Sequence, residues 1–467
     1  MATSFDYLTA PGTDGTVRFN PTTPRYRERL SRMYDAGSSA PKKTLRVLLI
    51  AEMCNPTWTS VPLVGYNFAR ALAQRDDLSI HLVTHIRNQE GIEQIPIPKL
   101  NRLTYIDNEF ITRPMHQVSK WLRGSKKPAW TIATASQWPG YMLFERQIHR
   151  QFFRELEEGA FDIIHRLTPL SPTIPSPLAR KTRIPMIIGP LNGGLPWPKQ
   201  YPELVNREGE WLVNARFLHK LLPFYRSSYA RLAGVIAGSK HTNTELSASF
   251  RGLRFYLPEN GVDLELFPPR RTEKVANSRF RFVTVGRLVP YKGFDLIMEA
   301  MAGCEELKDS ELVIIGEGPE KESLQNLIAT KGLQDRVRLL GFLSQDKIHK
   351  EFESSDAFVF PSLREFGGAV VLEAMAVGLP SIIVDYGGPA ELLDSESGIL
   401  LPMVERAPLV EKLRDAMVRL KSDPKLCAKM SQAAMRRIQD HFTWSAKAEQ
   451  ITQFYQQTIE DSHHRGI

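Results

Sequence analysis

Arg287, Lys292, Glu365 and Glu373 are the residues of this chain whose types and spacing suit chemistry best. In RFVTVGRLVPYKGFDLIMEAM (281–301), Arg287 falls just past a strand-like apolar run and Lys292 just before a helical pattern. An arginine holds a phosphate through two donors, a lysine acts as a point charge, and a helix N-terminus adds attraction. In REFGGAVVLEAMAVGLP (364–380), a helix is expected to run up to Gly378, with Pro380 beyond it as a stop. That helix is apolar on nearly every face, and Glu373 is its one charge. A carboxylate buried on such a helix requires hydrogen-bond donors or a cation, and ribose hydroxyls would serve. Glu365 precedes the helix, where Gly367 and Gly368 let an anionic ligand approach the backbone. Taken singly, Glu373 reads as half of an internal ion pair, Glu365 as a loop residue, and the two cations as surface charge. The four together point to a ligand with a charged phosphate and free hydroxyls.

The elements that must position them alternate between short apolar runs and helical patterns. LRVLLIA (45–51), LSIHLVT (78–84), FDIIHRL (161–167), PMIIG (185–189) and GVIAG (234–238) form a first series. RFVTVG (281–286), ELVIIG (311–316), RVRLLG (336–341), AFVFPS (357–362) and PSIIVDYG (380–387) form a second. Strands alternating with helices predict parallel sheets. The fold class expected is α/β, with two doubly wound Rossmann-like domains facing a central cleft and ligands at the carboxyl ends of the strands. The expected boundaries are an extension over 1–43, a first domain over 44–265 with an insertion at 87–160, a second over 266–441, and a helix over 442–467 crossing back to the first.

With 42% apolar and 24% charged residues, the composition is that of a globular chain. No apolar run approaches the roughly 18–20 residues of a membrane span. The N-terminus lacks the basic start and apolar stretch of a signal peptide, and Cys54, Cys304 and Cys427 make neither a metal spacing nor an even disulfide set. A cytoplasmic location is expected. A net charge of +8 suits anionic partners. Nucleic acid is not expected among them, because the basic residues are dispersed and no helix-turn-helix, zinc-finger or aromatic RNA-binding signature occurs.

The second half resembles the retaining family 4 glycosyltransferases of the GT-B fold. The resemblance rests on NGVDLELFPP (260–269), VGRLVPYKGFDLIMEA (285–300), LVIIGEGPE (312–320), RVRLLGFL (336–343), FVFPSLREFGGAVVLEAMAVGLPSIIVDYGGPAELL (358–393) and FTW (442–444). It implies a nucleotide-diphosphate sugar, UDP- or GDP-linked, as co-substrate, and no tightly bound cofactor. It implies a saccharide or lipid-linked glycan as acceptor. Glu365 would contact the donor sugar, Glu373 the ribose, Arg287 and Lys292 the diphosphate, and the backbone at Gly367 and Gly368 the sugar or diphosphate. The loop that holds the base falls at Phe342 and Leu343. Where the family commonly reads Glu-Gly-Phe-Gly, this chain has Phe366 ahead of its two glycines. The leaving phosphate would take the acceptor's proton, so no protein nucleophile is called for. With no Asp-X-Asp motif, no metal is expected, and the two cations stand in for its charge. An epimerase on the same fold, or a degenerate binding protein, are the alternatives.

The first half carries less. The Gly-Gly pair that often follows the first strand in the family falls on Thr59 and Ser60, so that Ser60 would reach the donor phosphate with its hydroxyl. His165 ends FDIIH; a lone strand histidine is usually structural, yet the family's His-X-His pattern implies a contact with sugar or acceptor, although Leu167 takes the second place. Asn192-Gly193-Gly194 reads equally as turn or as ligand loop. VSKWLRGSKKPAW (118–130) interleaves tryptophans with basic residues, which suits either a basic surface loop with two tryptophans in the domain core or peripheral contact with a membrane face or a lipid-linked acceptor.

Overall fold

The structure, a computed structural model, describes residues 44–109, 130–207, 219–270 and 279–465. The expected extension over 1–43 and all of the 118–130 motif except the backbone of Trp130, which opens a helix, lie outside them. Among the described residues, no helix is long and apolar enough to cross a membrane.

Among the described residues, two all-parallel sheets account for the strands. The first runs β3 (Arg102–Ile106), β2 (Leu78–His85), β1 (Leu45–Ala51), β4 (Ile163–Thr168), β5 (Met186–Leu191), β6 (Gly234–Ala237), β7 (Leu253–Tyr256). The second runs β10 (Val337–Gly341), β9 (Glu311–Ile315), β8 (Arg281–Val285), β11 (Ala357–Phe360), β12 (Ser381–Val384), β13 (Gly398–Leu401). Strands such as β4 and β11 are buried along their whole length, which is why they read as continuous apolar runs rather than as alternation. In each sheet the order reverses once, between β1 and β4 and between β8 and β11. At such a switch point the loops leaving neighbouring strands diverge and open a crevice for a ligand.

The apolar runs predicted as strands are all strands, but three strands escaped the sequence reading. β3 lies inside the stretch expected as an insertion; it is instead an edge strand in register with β2, from His81 opposite Arg102 to His85 opposite Ile106. Its sequence, RLTYI, is mostly accessible and offers no apolar run. β7 and β13 are edge strands of only four residues, too short to stand out as runs. The helix Trp130–Gln151, also within that stretch, sends Tyr141, Phe144 and Ile148 into the first core.

The described chain divides into two compact units. Residues up to Gly194, those from 219 to Glu259, and those from Lys447 onward make the first; 195–207 and Asn260–Ala446 make the second. The crossings lie a few residues from the expected 265/266 and 441/442. Within the first unit the last helix packs closely, with Phe454 stacked on Phe255 at 4.2 Å between ring centroids. The second unit contains a segment not expected there. Leu195, Trp197, Tyr201 and Leu204 find their burial in it, although LPWPKQY shows no periodicity that would announce this.

Candidate functional site

In the second unit, the loop after β8 and the loop after β11 leave the sheet on either side of its switch point. A short turn, Pro290–Lys292, is closed by Gly293 in the left-handed region (φ 68) and leads into the helix Phe294–Met301. The turn is fixed to the neighbouring loop by the Leu363 N–H, which donates to the Tyr291 carbonyl at 2.7 Å. Lys292 is thereby held over the Phe360 ring, 4.8 Å from its centroid, and its ammonium donates to Glu365 Oε2. The structure thus brings two of the expected residues into direct contact. Arg287 lies on the same edge with an exposed side chain, for which no hydrogen bond or ion pair is found among the described residues.

Glu365 owes its position to its neighbours. Gly388 N donates to the Glu365 carbonyl at 3.1 Å, and a side chain at Gly388 would strike the Phe366 carbonyl at 1.9 Å. Arg364, which the sequence reading did not single out, lies almost buried between Trp197 at 4.3 Å and Phe366 at 5.1 Å. Its Nε and Nη2 both donate to the Leu195 carbonyl, at 3.2 and 3.0 Å. Tyr386 Oη donates to the Pro196 carbonyl at 2.9 Å, and Trp197 meets Tyr291 edge-on at 5.9 Å. Segment 195–197 therefore braces both loops of the site. Arg364 had a signal, its place beside Glu365; Trp197 had none.

The shifted glycines sort themselves by backbone. Gly368 takes the left-handed conformation (φ 73, ψ 44) that opens the helix Ala369–Val377, whereas neither Phe366 nor Gly367 has a positive φ. Only the second glycine is required, so Phe366 is tolerated ahead of it. The helix ends at Gly378, as the sequence predicts, with φ 92. Six of its nine residues are buried, and its one partly open side is Ala369, Val370 and Glu373. Burial pushes the Glu373 carboxyl up to about 7, and no hydrogen bond to it is found within the described residues. After β10, Phe342 is 81% exposed while Leu343 packs against the core, leaving an uncovered aromatic ring beside the loop expected to hold a base.

The first-unit expectations fare differently. His165 requires a correction: it has no exposed surface, its Nε2 lies 2.7 Å from the Gly189 carbonyl, and its Nδ1 lies 2.6 Å from Tyr455 Oη. A carbonyl can only accept, so Nε2 carries the proton and the Nδ1 lone pair takes the tyrosine hydroxyl. Burial pushes its pKa down to about 4. Both nitrogens are committed, and His165 is a core residue rather than one facing a substrate. Gly193 and Gly194 both have positive φ, and their carbonyls accept from Thr242 Oγ1 and His241 Nε2.

Ser60 is exposed and precedes the helix Val61–Ala73 with φ 65, ψ −135, a backbone region that L-residues other than glycine rarely enter. Such strain costs about 1–3 kcal/mol, of which glycine's greater freedom when unfolded offsets about 0.5–1. Ser60→Gly is expected to stabilise the protein by about 1 kcal/mol, read as a higher urea midpoint at unchanged slope.

Comparison with known proteins accords with this geometry. Residues 269–437 match the family described as glycosyl transferases group 1. An alpha-D-kanosaminyltransferase of Streptomyces kanamyceticus is 33% identical over 175 residues, which are 37% of this chain and 44% of that protein. The chain spans less than half the length of the curated relatives it matches. Among solved structures, HepE of Anabaena in complex with UDP is 18% identical with a TM-score of 0.57, over 88% of this chain and 100% of that one. Sucrose-phosphate synthase of Thermosynechococcus elongatus is 18% identical with a TM-score of 0.58, over 89% and 100%. This chain thus has the two-sheet, Rossmann-like fold of the GT-B glycosyltransferases, and its residues 269–437 carry the signature of glycosyl transferases group 1.

Proposed function

We propose that this protein is a retaining glycosyltransferase of family 4 that moves a hexosyl group from a nucleotide-diphosphate sugar to a saccharide or lipid-linked glycan. The observation that carries the reading is the Lys292–Glu365 pair at the switch point of the second sheet, with the exposed Arg287 on the same edge. Arg287 and Lys292 bind the diphosphate and stabilise the charge that develops on it as the sugar leaves. A diphosphate arriving at Lys292 competes for its ammonium, which frees the Glu365 carboxylate to accept hydrogen bonds from the sugar hydroxyls. Glu373, desolvated and without a donor, takes the ribose hydroxyls, which remove the penalty of leaving it unpaired. The loop at Phe342 and Leu343 holds the base. In a retaining reaction of this kind the leaving phosphate accepts the acceptor's proton, and the new bond forms on the face the phosphate leaves. Such a mechanism suits a chain whose His165 has no free nitrogen.

The test is a thermal-shift comparison with UDP-glucose, GDP-mannose and ADP-glucose, since a bound donor raises Tm by mass action. UDP-glucose comes first, because the fold neighbour HepE was solved with UDP. One of the three should raise Tm, and Glu373→Ala should weaken that donor about ten- to hundred-fold, the value of one or two hydrogen bonds to a charged group. Absence of any shift with all three overturns the reading.

A further inference from the structure

Glu373 shares an unusual condition with one other carboxylate, Glu52 in the first unit. Burial pushes both up to about 7, and no hydrogen bond to either side chain is found within the described residues. Both keep some accessible surface, and carboxylates that keep almost none differ. Glu145, for example, accepts from Tyr141 Oη, from Ser176 Oγ and from Leu178 N. Resting on the glycosyl-transfer reading, we propose that Glu52 is the carboxylate that accepts a hydrogen bond from the acceptor's hydroxyl, the first unit's counterpart of Glu373.

The topology supports this independently. Glu52 is the first residue beyond β1, at the point where the order of the first sheet reverses between β1 and β4. In the second sheet the corresponding place, beyond β8, belongs to the loop that bears Arg287 and Lys292. The backbone there is firmly held. Asn88 Nδ2 donates to the Glu52 carbonyl at 2.7 Å. Met53 N donates to Thr168 Oγ1, which donates back to the Met53 carbonyl, both at 3.0 Å. Asn55 N donates to the Pro62 carbonyl at 2.9 Å. A firmly held loop thus presents a partly accessible carboxylate that has no donor among the described residues, which suits a group that must be ready for a ligand.

The chemistry of the ligand follows from the charge. The cation whose charge acts on Glu52 is Arg87, whose Nε is itself paired with Glu109. A half-desolvated carboxylate in that setting repels phosphate and lacks donors, so it selects a neutral group carrying O–H. A saccharide hydroxyl meets that requirement, and water is its smallest substitute.

Glu52→Gln keeps the shape and removes the charge. Without ligand, its Tm at pH 8 should equal or exceed wild type, by up to about 6 °C, because a desolvated charge has been removed. The Tm shift produced by UDP-glucose, GDP-mannose or ADP-glucose should be unchanged. With that donor saturating, transfer to octyl glucoside or octyl mannoside, and hydrolysis to water, should fall about ten- to hundred-fold. A clear drop in the ligand-free Tm would make Glu52 a structural residue and overturn the proposal. So would wild-type rates in the variant, or loss of the donor shift together with the rate. If wild type itself answers to no donor, the glycosyl-transfer reading fails and the role of Glu52 falls with it.

Discussion

Lys292→Met should lower the rate of sugar transfer about 100- to 1,000-fold at saturating donor. Removing one well-placed group that stabilises a developing negative charge typically costs about 2.7–4 kcal/mol of barrier. Lys292 has the features of such a group: its side chain is only 12% exposed, it is held over Phe360, and its turn is fastened to the loop bearing Glu365. The substitution also leaves Glu365 without its partner, so a diphosphate would meet a bare carboxylate and donor binding should weaken as well. Stability should change much less. The pair is partly solvated and ion pairs of this kind contribute about 1 kcal/mol or less. The double variant Lys292→Met/Glu365→Gln separates the two roles. If the pair served only structure, replacing both partners by neutral groups should restore the rate. A catalytic role predicts that stability returns and the rate does not. The measurement is a kcat and KM pair for each variant alongside its urea midpoint.

His165→Ala should destabilise the protein by about 3–5 kcal/mol while leaving the kcat of the folded fraction close to wild type. The loss has two parts. The Gly189 carbonyl and Tyr455 Oη each lose a buried partner, which costs about 1–3 kcal/mol apiece, and the removed ring leaves a cavity. Tyr455→Phe, which removes only one of the two bonds, should cost about 1–2 kcal/mol. The pH dependence has a definite sign. His165 is pushed down to about 4 in the folded protein, against about 6.5 when unfolded. Its neutral form is the one that fits, so this contribution is fully present above pH 6.5 and is lost as pH falls through 4. The shift corresponds to at most about 3 kcal/mol. His81, also pushed down to about 4, adds a loss of the same sign, so the informative quantity is the difference between wild type and the His165 variant across that window. Near-normal stability with lost activity in His165→Ala would return this residue to the reacting centre.

What the sequence determined by itself is the part of the fold written in continuous patterns. Ten apolar runs became strands, most of them buried on both faces, because burial on both faces demands apolar residues without interruption. Gly378 and Pro380 announced the end of the Glu373 helix, because helix termination is a local matter of backbone conformation. Arg287, Lys292, Glu365 and Glu373 could be named from charge set against apolar surroundings and from the family resemblance. β3, by contrast, was taken for part of an insertion, since an accessible edge strand needs no apolar run.

Only the tertiary structure decided partnership, because hydrogen bonds between distant segments leave no periodic trace. It joined Lys292 to Glu365 across 73 positions and set Trp197 against Arg364 from a proline-rich segment without pattern. It gave both nitrogens of His165 to partners 24 and 290 positions away, turning an expected substrate contact into a core residue. It also left two carboxylates, Glu52 and Glu373, without donors among the described residues. Whether a charged side chain is satisfied depends on what folding brings within about 3 Å of it, and sequence spacing carries no record of that distance.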